Sequence, residues 1–296
     1  MNVFKKLLVF SFVCGLISGC SNTKKIDNPS NKFFPGKKLA KLENKKLKEA
    51  SGLAASVNNK GHLWVLNDSG NKSEIYLVDT SLNLKLTCSL PARNRDWEDM
   101  AIGPGPDSTK TYIYVGDIGD NGGWHKFKYI YRFEEPKFVE GTNKVVIESF
   151  DKITFALEDE KKDTETLMID PLSKDLYVVS KREEPVYLYR IAYPYPTTDT
   201  LTAKKLTSLP LTLISGGSIS PDGKEVLLKN YDHIYYWNNN ANLTLPDLLK
   251  NKPEEVPYEV EPQGEALAWS QDRKGFYSLS EKTLTSEVYL YFYEKK

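Results

Sequence analysis

The sequence predicts an all-β protein, a β-propeller of five four-stranded blades, with six as the alternative, and a ring closed by an N-terminal strand. Three observations predict it. Helical periodicity is scarce, while short runs rich in Val, Ile, Tyr, Trp and Thr recur between Asn, Asp, Gly and Pro. The runs repeat at about fifty residues, a spacing that marks propellers. The last unit stops after its third strand, and the stretch KLAKLENKKLK (38–48) is free to supply the fourth. Closing a ring in that way removes an open sheet edge.

The chain opens on MNVFKKLLVFSFVCGLISGC. Lys5 and Lys6 form a positive start, and the apolar run after them is too short to span a bilayer. Ile17-Ser18-Gly19-Cys20 has the form of a bacterial lipobox, so residues 1–19 are expected to be a lipoprotein signal peptide and Cys20 the lipidated residue. A diacylglycerol with an amide-linked chain gives the two hydrophobic signals that stable anchoring requires. Ser21 is not the aspartate that retains lipoproteins in the inner membrane, so the expected location is the cell envelope, and the outer membrane in a Gram-negative cell. Residues 20–36 read as the lipidated cysteine and a flexible tether, and residues 37–296 as the propeller domain.

Within that domain the innermost strands read SGLAAS (51–56), EDMAIG (98–103), ETLMID (165–170), SGGSIS (215–220) and EALAWS (265–270). The second strands read HLWVLND (62–68), TYIYVGD (111–117), DLYVVSK (175–181), EVLLKNY (225–231) and GFYSLSE (275–281). Third strands follow the form x-Tyr-x-Tyr, as in EIYLVD (74–79), KYIYRF (128–133), PVYLYRI (185–191), HIYYWN (233–238) and EVYLYFY (287–293). Outer strands are less regular: LKLTCSL (84–90), the segment 145–157, AKKLTSL (203–209) and EEVPYEV (254–260). The 67-residue interval from Glu98 to Glu165 leaves room for an extra hairpin or blade.

Acids recur at the entry to inner strands, in DWEDMAIGP (96–104), DTETLMIDP (163–171) and QGEALAWSQD (263–272). In a propeller, equivalent positions of successive blades face one another around the axis. The alignment therefore gathers Ser51, Glu98, Glu165, Ser215 and Glu265 into one ring. Asp68, Asp117, Lys181, Tyr231 and Glu281, at the ends of second strands, form another beside it. Crowded carboxylates need a cation between them or a proton on one. A hard divalent cation with oxygen ligands, calcium foremost, is expected on Glu98, Glu165 and Glu265, and Lys181 is an internal alternative. The loop GDIGDNGG (116–123) has the composition of a calcium loop without the EF-hand spacing, and serves equally as a turn.

Other chemistry is excluded. His62, His125 and His233 lack metal-ligand spacing, so a zinc hydrolase is not expected. There is no nucleophile elbow, phosphate-cradling loop or dinucleotide fingerprint. Cleavage before Cys20 removes Lys5 and Lys6 from 40 basic residues and leaves 38 against 40 acidic ones, which gives no footing for nucleic acid. Cys88 has no partner for a disulfide once Cys20 carries lipid.

The phrases ASGLAAS, LNDSG, DWEDMAIGPGP, YVGDIGDN, DTETLMIDP, YVVSKRE, ISPDGKEV and QGEALAW together resemble a group of exported bacterial β-propellers, similar in style to SdiA-regulated and phytase-like propellers. The resemblance spans most of residues 49–282 and implies a propeller fold with calcium in the central funnel, on Glu98, Glu165 and Glu265. The chain departs from phytase-like propellers in lacking the clustered Lys and Arg that inositol phosphates require. Three functions compete: a lipid-anchored binding or scaffold protein holding a cation or small ligand, a metal-dependent hydrolase of a phosphoester, ester or lactone, and a structural module contacting another envelope protein. A monomer is expected.

Overall fold

The computed structural model describes residues 28–296. The expected signal peptide, Cys20 and the first part of the tether lie outside the described residues. Strand β1 (Lys37–Lys41) precedes a meander of β2 (Ala50–Ala55), β3 (His62–Asn67), β4 (Glu74–Asp79) and β5 (Leu84–Ser89). Next come β6 (Trp97–Pro104), β7 (Thr111–Asp117), β8 (Lys128–Glu134), β9 (Lys144–Val146) and β10 (Asp151–Leu157). A third meander holds β11 (Thr164–Ile169), β12 (Leu176–Ser180), β13 (Val186–Ile191) and β14 (Thr200–Leu209). A fourth holds β15 (Gly216–Ile219), β16 (Glu225–Lys229), β17 (Ile234–Asn238) and β18 (Glu254–Glu255). The chain ends with β19 (Gly264–Trp269), β20 (Gly275–Ser280) and β21 (Tyr289–Glu294).

The architecture is all-β and propeller-like. Strands β2, β6, β11, β15 and β19 each neighbour the next, and β19 returns to β2. Each is the inner edge of an antiparallel meander, which is why β2, β11 and β19 are buried at every position and do not alternate: both faces are covered. Small residues permit the close approach at the centre. A Cβ on Gly216 would collide with the carbonyl of Glu265, and one on Gly217 would meet Thr166 Cγ2 at 2.7 Å.

The core is divided among the gaps between consecutive meanders. One cluster packs Leu53, Val65 and Tyr76 against Ala266, Leu279 and Leu290, so the last sheet meets the first. Equivalent clusters fill the other gaps, as where Trp64 and Leu77 meet Trp97 and Val115. Each fully buried Leu, Val or Phe contributes roughly 1.5–3 kcal/mol through burial.

Strand β1 pairs antiparallel with β21, Lys37 opposite Phe292, and so becomes the fourth strand of the last sheet. It is shorter than the expected 38–48. The chain breaks at Leu42, and Lys45–Leu47 form a 3-10 turn capped by the Asn44 side chain, so that Leu42 and Leu47 drop into the core.

Three further differences have physical causes. The segment 145–157 is not one outer strand. Strand β9 pairs parallel with β5 (Cys88 opposite Val145), whereas β10 stays with β8 and also pairs parallel with β14. The interval between Glu98 and Glu165 is thus occupied by β6 to β10, and β9 extends the first sheet. The outer strand of the fourth meander is only Glu254–Glu255, preceded by a short helix at Leu245–Leu249. Finally, residues 28–36 are docked and not a free tether. Ser30 N donates to the Glu255 carbonyl at 2.7 Å, and Phe33 is fully buried among Tyr236, Trp269 and Phe276.

Candidate functional site: an acidic funnel built on β-bulges

In four inner strands the antiparallel ladder slips by one residue at the same place. Ala50 faces Asn67 and Gly52 faces Leu66; Trp97 faces Asp117 and Asp99 faces Gly116. Thr164 and Thr166, then Gly264 and Ala266, repeat the step. The residues left over are Ser51, Glu98, Glu165 and Glu265. On β15 regular pairing begins with Gly216, just after Ser215. A bulge disrupts pairing and re-aims a side chain, which explains how an acid can open a buried strand.

The bulges bring acids together. Carboxylate oxygens of Glu98, Asp163 and Glu165 lie within 4.8 Å of one another, and so do those of Asp68, Asp96 and Glu98. Glu98 belongs to both groups. These buried acidic clusters have the donor set of a hard cation.

Their electrostatic partners differ. Lys181 forms an ion pair with Glu165 and lies 3.7 Å from Glu265 Oε1. Tyr231 OH donates to that same Glu265 oxygen at 3.1 Å. Asp163 accepts from the Arg182 Nε at 2.7 Å and from the Asp120 backbone N–H at 2.9 Å. Glu98, only 5% exposed, has no hydrogen bond or ion pair among the described residues. Burial, then the charges of Glu165, Asp68 and Asp96, hold its pKa well above the carboxylate range. Burial also raises Glu165 and Glu265 against the opposing pull of Lys181. Glu281, at the rim, is pushed up to about 8 by burial and then by Glu265, Asp68 and Glu49. Although burial alone would lower it, Glu165 and Glu265 push the Lys181 ammonium above its ordinary value.

Gly119 shapes the cradle. A Cβ there would collide with Glu98 Oε1 and lie 2.5 Å from Asp96 Oδ2, so only glycine lets the backbone close over these acids. Asp120 does not aim at the mouth. Its carboxylate accepts the Trp124 and His125 N–H groups at 2.8 and 2.9 Å and ties its own loop.

Of the residues expected in the funnel, Glu98, Glu165, Lys181, Tyr231 and Glu265 are linked by the contacts above. Asp68 reaches the mouth beside Asp96 and Glu98, and Glu281 stands within electrostatic range. Asp117 instead braces the turn before β6, accepting the Asp96 N–H at 3.0 Å with Arg95 beside it. Ser215 donates to the Gly264 carbonyl at 3.1 Å, tying β15 to β19. Ser51 is buried, and its hydroxyl has no partner among the described residues. In the expected trio, Glu265 lies in neither close carboxylate group, and Asp163 stands beside Glu98 and Glu165.

Sequence reasoning missed Asp96 and Asp163. Both begin the repeated phrases, each two residues before a bulged glutamate, so Asp-x-Glu was the available signal. It also missed Asp99, buried next to Glu98 in the chain, which accepts the N–H of Met100 at 2.7 Å and that of Leu167 at 2.9 Å. Comparison with protein-family models and with curated proteins finds no match.

Proposed function

We propose that the chain is a lipid-anchored protein of the cell envelope, a five-bladed propeller that binds a divalent cation, calcium, in its central funnel and serves as a binding or scaffold protein. The cyclic contact of β2, β6, β11, β15 and β19 supports five blades. The anchor rests on the lipobox ending at Cys20.

One observation carries the cation: Glu98 is a buried carboxylate without a partner, held between two groups of acids. Leaving such a charge unpaired costs several kcal/mol, which a bound cation offsets. Around it stand Asp68, Asp96, Asp163, Glu165, Glu265 and Glu281, against Lys181, Arg182 and the buried Lys128. The oxygen-only donors and the absence of His or Cys from both groups fit calcium better than zinc.

Thermal unfolding of the mature chain in calcium and in EDTA tests this reading. Calcium should raise the Tm, and Glu98→Gln should abolish the rise. An identical Tm in both buffers defeats the proposal. Hydrolase chemistry is separated by a panel of phosphoesters, esters and lactones with added calcium, on which the scaffold reading expects no turnover.

A further inference from the structure

Two carboxylate groups share Glu98, and the structure distinguishes them by what already neutralises each. Asp163 and Glu165, the inner pair, are committed to Arg182 and Lys181. Both Asp163 oxygens are occupied, one by the Arg182 Nε and the other by the Asp120 N–H. Asp68 and Asp96, the outer pair, form no ion pair among the described residues; the Asp68 carboxylate accepts only the Ser69 backbone N–H, and that of Asp96 has no hydrogen-bond donor there. The cations that act on Asp96 from a distance are engaged elsewhere: Lys128 Nζ donates to the Ile118 carbonyl, and Arg95 stands beside Asp117. Glu98 faces both pairs, unpartnered and nine-tenths buried. The missing Cβ of Gly119 leaves room against Glu98 and Asp96, two acids of the outer group.

We propose that the funnel takes a single divalent cation, bound at the mouth by Asp68, Asp96 and Glu98, and that Lys181 and Arg182 stand in for a second ion in the inner group. This rests on the cation-binding reading above and reassigns its ligands away from the symmetric trio Glu98, Glu165 and Glu265. Charge decides between the groups. An ion entering the inner group would meet two acids already matched by Lys181 and Arg182 and would be repelled by those two cations. At the mouth it meets three unmatched carboxylates. Asp68 and Asp96 are half-buried, so the remaining coordination positions of the ion open to solvent. Calcium takes six to eight oxygens, about half of which three acids can supply. Water or an oxygen-rich ligand completes the shell, so the cation becomes the funnel's recognition element.

Calcium titration by calorimetry tests the assignment on the mature chain and on Asp68→Asn, Asp96→Asn, Asp163→Asn and Glu165→Gln. Glu98 is common to both groups and cannot discriminate. The expected result is a single site in the parent, weakened about tenfold or more in the two outer variants and by clearly less in the two inner ones. Crystals of the parent soaked in manganese give a second readout that needs no variant to fold: one anomalous peak among Asp68, Asp96 and Glu98. A peak among Glu98, Asp163 and Glu165, two ions in the parent, or the reverse order of variants overturns the assignment and leaves cation binding standing. No binding to the parent overturns both.

Discussion

Gly119 and Glu98 fit each other so closely that the backbone at 119 occupies the space a side chain would need against the Glu98 carboxylate. One lies in the loop after β7 and the other in the bulge of β6, and the ladder between those strands brings them together. Gly119→Ala should therefore push the Glu98 carboxylate aside. The expected outcome is calcium affinity lowered by about tenfold or more, with overpacking costing about 1–3 kcal/mol in EDTA. Calorimetry and urea unfolding measure the two effects, and unchanged calcium affinity would separate Gly119 from the site.

Glu98→Gln carries an expectation of opposite sign in the two buffers. Without a cation the parent must either keep a buried carboxylate charged or take up a proton there, and the variant does neither, so it should be more stable than the parent by about 1–3 kcal/mol. With calcium it should be less stable, because the parent gains from binding and the variant does not. Urea unfolding in EDTA and in calcium checks both signs.

The pH dependence follows from the same crowding. Burial and neighbouring acids raise Glu281 to about 8, and Glu98 is held well above its ordinary value, while unfolding returns both toward 4.5. The folded state then holds more protons than the unfolded state over that interval, so stability rises as pH falls from about 8. Lys128, which burial lowers to about 8, acts with the opposite sign but above that pH. In EDTA the Tm should climb between pH 8 and 6, and calcium should flatten or invert the slope because protons compete with the ion. Scanning calorimetry in the two buffers is the check; a Tm in EDTA that falls over that interval would contradict the electrostatic account.

Phe33 makes the N-terminal arm part of the folded domain. It packs edge-on against Tyr236 and Phe276, in the gap between the fourth meander and the last. Phe33→Ala should cost about 3–5 kcal/mol, and a chain starting at residue 37 should melt well below one starting at 28. Equal melting temperatures would show that the arm adds nothing.

Cys20→Ser tests the anchor. In a cell that processes lipoproteins the parent should sediment with membranes and take up labelled palmitate, and the variant should do neither. Uptake by both would remove lipidation from the account.

The repeat made the ring legible. Aligning EDMAIG, ETLMID and EALAWS placed Glu98 beside Glu165, because rotational repetition converts equal positions into neighbours, whereas Glu265 meets Glu165 only across Lys181. The bulges that aim these side chains were not legible, since a bulge is a property of pairing and not of composition. Asp163 escaped because one inner phrase lacks its counterpart: Gln263, and not an acid, stands two residues before Glu265. Strand β9 escaped for a different reason. Its three-residue parallel pairing with β5 spans a long loop, and no local pattern announces it. Phe33 was hidden by its polar surroundings, SNTKKIDNPSNK, whose composition reads as linker, although Phe33 is buried in the core and residues 28–36 are docked.

A calcium-selective electrode reading free calcium during titration of the EDTA-stripped mature chain at neutral pH tests the central claim most directly. Saturable uptake of calcium, released when the pH is brought below the carboxylate range, is the expected result. A free-calcium curve that overlays the buffer blank would contradict it.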